Sequence, residues 1–463
     1  MKQQTLKGSI FLEGKGLHTG LSIRVGLHPS DADSGYYFVR TDIEGAPTVK
    51  ADPDAVFSTA RGTSLKAGDV EVHTVEHLLS ALFGLGVDNA RIELDGPEVP
   101  ILDGSALPFV EAIKSVGIET QSAERIIFVP KKPIHYQDAD SGAQISLYPS
   151  DAFELLTLVD FDSDVIGEQY AKLDDWSQYE TSVAPSKTFV FVRDIEALMD
   201  QGLIKGGSLD NAIVIADEKV PESTLNRLSE RLDRYEIKST NKGILNQSDL
   251  RFANEPARHK LLDVVGDMAL LGKYVQARIV AVKPGHKVNV AFTSLLKSEW
   301  LKCQKEDHCP EYDPSVPPVY TTQKIEQTLP HRFPFLMVDK IIELTENQVV
   351  GVKNISADQY FFQGHFPNNP VFPGVLQLEA MAQTGGILAL STVPDPDNWD
   401  TYFLKIDKVR FKRKVVPGDT LILKLKLLGP IRRGICFMHA KAFVAKELVS
   451  EGELTAQIIK RKS

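Results

Sequence analysis

Cysteine is scarce in this sequence, which has only three, too few for a framework of disulfide bonds. Long apolar runs are missing as well, since none approaches the ~18 residues that a membrane-spanning helix needs. The N-terminal residues MKQQTLKGSIFLEG lack the apolar centre of a signal peptide. We therefore expect a protein of the reducing cytoplasm without a membrane span.

Basic residues are also fewer than acidic residues, but only in part of the chain. The net charge is −10; residues 318–463 contain 19 Lys and Arg against 14 Asp and Glu, so they carry +5 and residues 1–317 carry −15. This asymmetry indicates separate modules, and the acidic total argues against nucleic acid as the main partner. The length of 463 residues suits about three domains.

One polar segment, 302–323, separates the acidic part from the basic part. Its sequence, KCQKEDHCPEYDPSVPPVYTTQ, has four prolines and no apolar periodicity, which is typical of a linker. Cys303, His308 and Cys309 lie inside it and could bind zinc. A single loose group lacks the paired spacing of a structural zinc site, so the pattern favours a linker.

The part before this segment repeats a pattern weakly. Residues 23–39 resemble 143–159, since each reads as a strand, a PSDA turn and a second strand. Residues 75–94 resemble 257–282, since each runs from a His-bearing helix through glycine to an ARI strand. The shared order predicts two similar α+β domains, each of which delivers one histidine from the start of an equivalent helix.

The second repeated helix contains RHKLLDVVGD, in which ionisable residues recur every fourth position. His259, Asp263 and Asp267 therefore share one face of the helix. That face either offers ligands to a metal or belongs to an ordinary amphipathic helix, on which a histidine is merely packed or capped. The helix alone leaves both interpretations open.

Two interpretations also compete for the first repeated helix, which contains HTVEH. His73, Glu76 and His77 match the pattern His-x-x-Glu-His, in which two histidines bind zinc and the glutamate activates water. Alternatively, His77 joins His259 and Asp263. Three protein ligands would leave a fourth position for water, as a hydrolytic zinc needs.

Five segments along residues 1–300 carry a family resemblance: HTVEHLLSALFGLGVDNARIEL, ILDGSALPFV, GLIKGGSLDNAIVI, RHKLLDVVGD and KPGHKVN. In this order they resemble UDP-3-O-acyl-N-acetylglucosamine deacetylase, the zinc amidase of lipid A synthesis. The resemblance implies one Zn²⁺ per chain, held by His77, His259 and Asp263. It implies no ligand at His73.

The resemblance also implies roles for other residues. Glu76 would take a proton from water, and His286, as an imidazolium, would donate to the leaving amine or stabilise the oxyanion. Asp267 would orient His286, and the hydroxyl of Thr188 would stabilise the tetrahedral intermediate, although Lys187 stands where the family usually has arginine. GLIKGG corresponds to the acyl-chain passage. The implied substrate-binding residues are Lys260, His18 and Phe189.

A second group of chemical residues follows the linker. LPHRFPFLMVDK precedes FFQGHFPNNPVFPGVLQLEAMAQTGG, in which His365 lies in a Gly- and Pro-rich loop. A helix is predicted to begin near Pro373 and to contain Glu379 in an apolar stretch. Burying a glutamate there is unfavourable unless its carboxyl group has a hydrogen-bonding or ionic partner or takes part in catalysis. The acid is therefore either structural or catalytic.

The residues GHFP and PGVL, followed by Glu379, resemble 3-hydroxyacyl-[acyl carrier protein] dehydratase, a hotdog-fold enzyme. In that fold an antiparallel sheet wraps a long central helix, and the alternating stretches after residue 401 fit such a sheet. The resemblance implies that His365 is the base at C2, that Glu379 protonates the departing C3 hydroxyl, and that the N–H of Gly374 polarises the thioester. It further implies a homodimer, because the histidine and glutamate of one site come from different subunits; a hexamer is compatible with it.

A basic run lies in the same region. It is either a solvated face or a docking site for the acidic acyl carrier protein. Its residues are Lys408, Arg410, Lys412, Arg413 and Lys414.

The sequence therefore predicts a bifunctional α+β enzyme that acts on an acylated UDP-sugar and on acyl chains of acyl carrier protein. In the alternative, only one half is catalytic and the other is a binding or oligomerisation module. The predicted organisation is deacetylase domains 1–123 and 124–301, with a charged surface insertion at 217–251, the linker 302–323 and a hotdog domain 324–463.

Overall fold

The structure is a computed structural model that describes residues 1–200, 202–220, 243–246, 249–305 and 309–461. Most of the predicted insertion 217–251 lies outside the described residues, as does His308. The chain divides into two compact units, Met1–Lys305 and Glu306–Ser463. Within the described ranges, no helix has the length and apolar character that crossing a bilayer demands.

The first half of the first unit is built on a five-stranded sheet of order β2-β3-β9-β4-β5, in which only β4 and β9 run parallel. Helix α1 (Glu76–Gly84) immediately precedes β9, and α2 (Leu107–Val116) packs on β2. A 3-10 helix spans Pro53–Ala55. The strands are β1 (Lys2–Leu6), β2 (Ile10–Lys15), β3 (Ser22–Pro29), β4 (Tyr36–Arg40), β5 (Thr48–Lys50), β6 (Val56–Ser58), β7 (Ser64–Ala67), β8 (Val70–Val72), β9 (Ala90–Leu94) and β10 (Ile118–Glu124).

The second half repeats this topology. Its five-stranded sheet has the order β12-β13-β20-β14-β15, and again only the third and fourth strands, β20 and β14, run parallel. The strands are β11 (Ile127–Phe128), β12 (Ile134–Gln137), β13 (Gln144–Pro149), β14 (Glu154–Val159), β15 (Gln169–Leu173), β16 (Phe189–Phe191), β17 (Ile213–Ala216), β18 (Gly243–Ile244), β19 (Tyr274–Val275) and β20 (Ala277–Val282). The helices are a 3-10 turn (Trp176–Gln178), α3 (Tyr179–Ser182), α4 (Val192–Asp200), α5 (Glu255–Ala269) and α6 (His286–Lys305).

Strands β16, β17 and β18 form a separate small sheet that has its own apolar cluster. Helix α6 continues to Lys305 and therefore overlaps the start of the predicted linker. Within that overlap, Lys302 pairs with Glu299 one turn earlier, which is a favourable spacing on a helix. Residues 302–305 thus form the end of a helix.

Helices α1 and α5, one from each half, pack against each other in one continuous core. Every residue of α1 is buried, so its ionisable side chains point into the protein and not into water. The close packing depends on Gly266 in α5, because a Cβ atom at this position would lie 2.1 Å from the carbonyl oxygen of Glu76. Gly266 is thus a point of close backbone contact between the two halves.

We expect Gly266→Ala to lower the free energy of unfolding by about 3 kcal/mol, because the two helix backbones must separate to admit the methyl group. Denaturant unfolding of the full chain measures the change. Gly8→Ala is the control, since its Cβ would meet only Val116 Cβ at 3.9 Å. Equal stability of the two variants would contradict the packing argument.

The second unit has the hotdog fold that the sequence predicts. Helix α8 (Gly374–Leu390) packs on a six-stranded sheet of order β21-β22-β24-β25-β26-β23, in which every neighbouring pair is antiparallel. A short helix, α7 (Thr322–Thr328), and 3-10 turns at Tyr360–Gln363 and Pro396–Asn398 complete it. The strands are β21 (Lys340–Leu344), β22 (Gln348–Asn354), β23 (Trp399–Phe411), β24 (Thr420–Leu427), β25 (Ile435–Val444) and β26 (Glu447–Lys460).

Candidate functional sites

Three buried side chains converge where α1 meets α5. One ligand atom each of His77, His259 and Asp263 lies within 4.8 Å of the other two. The Nε2 atoms of His259 and His77 lie 3.4 and 4.0 Å from Asp263 Oδ1. The residues that the sequence predicts as metal ligands are thus brought together from both halves.

Neighbouring groups bind one of the two candidate ligand atoms of His259 and of Asp263 and leave the other one without a hydrogen bond in the described part of the chain. His259 Nδ1 donates to the carbonyl oxygen of Ser186 at 3.1 Å, so its lone pair is on Nε2. The ammonium of Lys260 binds Asp263 Oδ2 at 2.9 Å. Asp263 Oδ1 is buried without a hydrogen-bond partner among the described groups.

The protonation states of the three side chains favour the binding of a cation. Burial lowers the pKa of His77 to about 3 and also lowers the pKa of His259, so both rings are neutral. Burial opposes ionisation of Asp263, but the charge of Lys260 and the neighbouring histidine rings together outweigh it and lower the pKa of this carboxyl. Two neutral imidazoles and a carboxylate with an unpartnered oxygen are a fitting donor set for zinc.

Two further ionisable groups flank the cluster. His286 Nε2 lies 3.9 Å from Glu76 Oε1 and 3.9 Å from Asp263 Oδ2. Burial raises the pKa of Glu76 to about 7. Burial alone would lower the pKa of His286, but the carboxylates of Asp267 and Asp263 outweigh it and raise the pKa to about 10. An imidazolium thus faces a carboxyl group that can exchange a proton near neutral pH.

Asp267 fixes the ring of His286. Its Oδ2 accepts from His286 Nδ1 at 2.9 Å and from Asn289 Nδ2 at 2.9 Å, while its Oδ1 accepts from Thr63 Oγ1 at 2.5 Å. Sequence reasoning missed Asn289 and Thr63. The spacing i,i+3 from His286 in KPGHKVN could have indicated Asn289, whereas no pattern marks Thr63.

His73 takes no part in this cluster. Its Nδ1 bonds Ser64 Oγ at 2.9 Å, and its Nε2 lies 3.6 Å from a carboxylate oxygen of Glu71. The described groups that could hold a metal ion comprise His77 and not His73. The geometry therefore disfavours the interpretation of HTVEH as the whole of a His-x-x-Glu-His zinc site.

A largely apolar cavity of about 150 Å³ is lined by two predicted substrate-binding residues, Phe189 and His18, and by the predicted catalytic residue Thr188. The ring of Phe189 lies 6.2 Å from the ring of His259, and the ammonium of Lys260 lies 5.4 Å from the centre of the Phe189 ring. Both ring nitrogens of His18 are buried without partners among the described groups. The rest of the lining includes Leu17, Ile195, Leu198, Leu203, Ile204 and Gly207.

In the second unit, α8 brings Glu379 to a cavity of about 200 Å³. Its Oε1 accepts from Gln383 Nε2 at 2.7 Å and lies 3.7 Å from His331 Nε2. Gln383 is itself fixed by the carbonyl of Phe335 and the N–H of Met337. Sequence reasoning gave no role to Gln383, although its i,i+4 spacing from Glu379 could have indicated it.

His365 occupies the loop before α8. Its Nδ1 donates to the carbonyl of Val371 at 2.7 Å, which leaves Nε2 as the basic nitrogen. His365 does not line the cavity of Glu379 within the described part of this single chain. Gly374 is the first residue of α8, where a backbone N–H points out of the helix end.

The cysteines of the predicted linker lie in different units. Cys303 is on α6 and packs against the core of the first unit, and Cys309 packs against an apolar cluster of the second. Both are free thiols, as is Cys436.

Comparison with known protein families finds a match in each part of the chain. Residues 3–237 and 235–298 match the family described as UDP-3-O-acyl N-acetylglycosamine deacetylase, and residues 329–453 match the FabA-like domain. The deacetylase match covers more than half of the chain.

Relatives of full length carry both parts. The bifunctional enzyme LpxC/FabZ of Porphyromonas gingivalis is 49% identical over 462 residues, which cover 100% of this chain and 99% of that protein. The bifunctional enzyme LpxC/FabZ of Bacteroides thetaiotaomicron is 48% identical and is covered over 100% of both chains. The UDP-3-O-acyl-N-acetylglucosamine deacetylase of Acidithiobacillus ferrooxidans is 41% identical over 65% of this chain and 91% of its own. The chain belongs to the UDP-3-O-acyl N-acetylglycosamine deacetylase family, in the bifunctional form in which a FabA-like domain follows the deacetylase.

Proposed function

We propose that the first unit removes the N-acetyl group of UDP-3-O-(3-hydroxyacyl)-N-acetylglucosamine, and that the second unit dehydrates (3R)-3-hydroxyacyl-[acyl carrier protein] to the trans-2-enoyl form. The chain is an enzyme with hydrolase and lyase activities, which serve lipid A and fatty acid synthesis. The observation that carries the first activity is the convergence of His77, His259 and Asp263 beside Glu76 and His286.

The ion of the cluster is zinc, one per chain, held by His77, His259 and Asp263. The fit rests on the two neutral imidazoles and the unpartnered Oδ1 of Asp263. Such an ion supplies a Lewis acid that polarises the amide carbonyl and lowers the pKa of water.

Glu76 and His286 divide the proton transfers of amide hydrolysis. Glu76, with a pKa raised to about 7 by burial, accepts the proton of the attacking water at neutral pH. His286, protonated and oriented through Nδ1 by Asp267, donates its Nε2 proton to the nitrogen of the leaving amine as the C–N bond breaks. The hydroxyl of Thr188 donates to the developing oxyanion.

The apolar cavity beside Phe189 accepts the acyl chain, since its lining is mainly aliphatic. Lys260 and His18 are placed at the polar part of the substrate: Lys260 contacts Asp263 and the Phe189 ring, and His18 presents two unpartnered ring nitrogens. These positions and the family resemblance support the two roles.

Glu76→Gln tests the deacetylase mechanism. Glutamine keeps an oxygen for the N–H of Thr63, which Glu76 now binds at 3.0 Å, but it cannot take a proton. We expect kcat for acetate release to fall about 10²- to 10⁴-fold, while dehydration by the same protein is unchanged. Glu111→Gln, at an exposed position of α2, is the matched control. An undiminished kcat in Glu76→Gln would assign the proton acceptor to another group.

For dehydration, His365 takes the C2 proton, Glu379 protonates the departing C3 hydroxyl and the N–H of Gly374 polarises the thioester carbonyl. These groups act together in a homodimer. Strand β23 is an edge of the sheet, and edge strands with exposed apolar side chains favour pairing with another chain. Its exposed apolar residues are Tyr402, Phe403, Leu404, Ile406 and Phe411.

Acyl carrier protein delivers the substrate of the second unit. Three residues of the basic run already pair with carboxylates of the same unit: Lys408 with Glu453, Lys412 with Glu451 and Arg413 with Glu447. Docking of the acidic carrier therefore depends mainly on Arg410 and Lys414, which are exposed.

The remaining assignments rest on the sequence. We place the domains at 1–123, 124–301 and 324–463; because α6 runs to Lys305 and α7 begins at Thr322, the connection between the last two is shorter than the predicted linker 302–323. The protein acts in the cytoplasm, where its three free cysteines remain reduced.

A further inference from the structure

Thr63 is a fully buried residue directly before β7. Its backbone N–H donates to Glu76 Oε2 at 3.0 Å, and its carbonyl accepts from the N–H of Val75 at 3.2 Å. These two bonds attach the Thr63 peptide to the start of α1. The position of this loop therefore does not depend on the side chain of Thr63.

The hydroxyl of Thr63 reaches the other half of the unit. Oγ1 donates to Asp267 Oδ1 at 2.5 Å and lies 3.3 Å from His286 Nδ1. Because His286 Nδ1 donates to Asp267 Oδ2, the three side chains form a closed set of contacts. Thr63 thus binds Glu76, the proton acceptor, through its backbone N–H. Through its hydroxyl it binds Asp267, which orients the proton donor His286.

We propose that Thr63 is a positioning residue of the deacetylase, which sets the separation between the carboxylate of Glu76 and the imidazole of His286. The inference rests on the proposed function of these two groups. Proton transfer depends steeply on such separations, since a misplacement of about 1 Å can cost 10²-fold in rate. Without the hydroxyl, Asp267 Oδ1 loses its donor, and Asp267 and His286 can turn together away from Glu76.

Thr63→Val tests this role, because valine keeps the shape and the two backbone bonds but lacks the hydroxyl. We expect kcat for acetate release to fall about 10- to 100-fold, as for other residues that orient a catalytic group, with KM changed less than about threefold. Thr63→Ser restores the hydroxyl and is expected to return kcat to within about threefold of the wild type. Zinc content and dehydratase activity stay at wild-type values in both variants.

Thr5→Val is the matched control. Thr5 is buried like Thr63, and its hydroxyl donates to the Asn89 carbonyl and accepts from the N–H of Ser30, away from the cluster. We expect this variant to be less stable but to keep its kcat. Should Thr63→Val fail to fold, Thr63→Ala against Thr63→Ser gives the same comparison.

Three results would overturn the proposal: an unchanged kcat in Thr63→Val, a Thr63→Ser variant as slow as Thr63→Val, or an equal loss of kcat in Thr5→Val. The Glu76→Gln variant separates this proposal from the function on which it rests. If Glu76→Gln is slow and Thr63→Val is fast, only the role of Thr63 is wrong. If Glu76→Gln is fully active, the mechanism itself is wrong.

Discussion

Replacing Asp263 with alanine is expected to remove zinc from the protein and to lower deacetylation on the order of 10⁴-fold or more, because both the Lewis acid and the activated water depend on the ion. Asp263 is the one anionic member of the described ligand cluster. Its loss leaves two neutral imidazoles, too few donors for a stable site. Elemental analysis of the purified chain and an acetate-release assay measure the two effects.

Two controls make this result specific. Asp69→Ala removes an exposed carboxylate between β7 and β8, and we expect it to keep one zinc ion per chain and full activity. The dehydratase rate of the Asp263→Ala protein is the internal control, since the second unit is compact by itself. Retention of about one zinc per chain in Asp263→Ala would exclude this residue from the ligand set.

A mixture of His365→Asn and Glu379→Gln chains is expected to regain the dehydration that each variant lacks alone. Each substitution lowers the rate about 10²- to 10⁴-fold. If, as we propose, the histidine and glutamate of one site come from different subunits, a mixed dimer has one site with both intact groups, and random pairing makes half of the dimers mixed. Co-expressed chains should therefore show about a quarter of the wild-type dehydratase rate, if each two-fold symmetric dimer has two independent sites.

The two substitutions are chosen to preserve structure. Asparagine at position 365 retains a donor for the Val371 carbonyl, and glutamine at position 379 retains an acceptor for Gln383. Deacetylase activity of every sample reports that the first unit is intact. A mixture no faster than its components would show that the histidine and glutamate of one site come from the same chain.

The sequence predicted those parts of the first site that lie within one helix. His259 and Asp263 share a face because they are four residues apart, and that relation is local. His77 joins them only through the packing of α1 on α5, so spacing left two interpretations open and the family resemblance favoured one. Thr63 could not be found, since its contact with Asp267 joins a loop to a residue 204 positions away.

In the second unit, too, contacts between distant segments could not be predicted from the sequence. The family resemblance carried by GHFP, PGVL and Glu379 predicted the hotdog fold, and the alternating stretches after residue 401 fitted its sheet. The sequence suggested that Glu379 is buried in an apolar helix, whereas its side chain is 18% exposed, towards a cavity. His331 lies next to this carboxylate and belongs to a loop. A loop has no periodic pattern from which the direction of a side chain could be predicted.

The crossing of α1 and α5 has a consequence for the repeated architecture of the first unit. Two copies of the same supersecondary structure could each have kept a complete catalytic centre. Here each copy holds an incomplete share of a single centre, so neither can be deleted, swapped or redesigned without its counterpart. The two copies have nearly the same topology, but they contribute different residues to the centre. They depend on each other through the close contact of Gly266 with the backbone of Glu76.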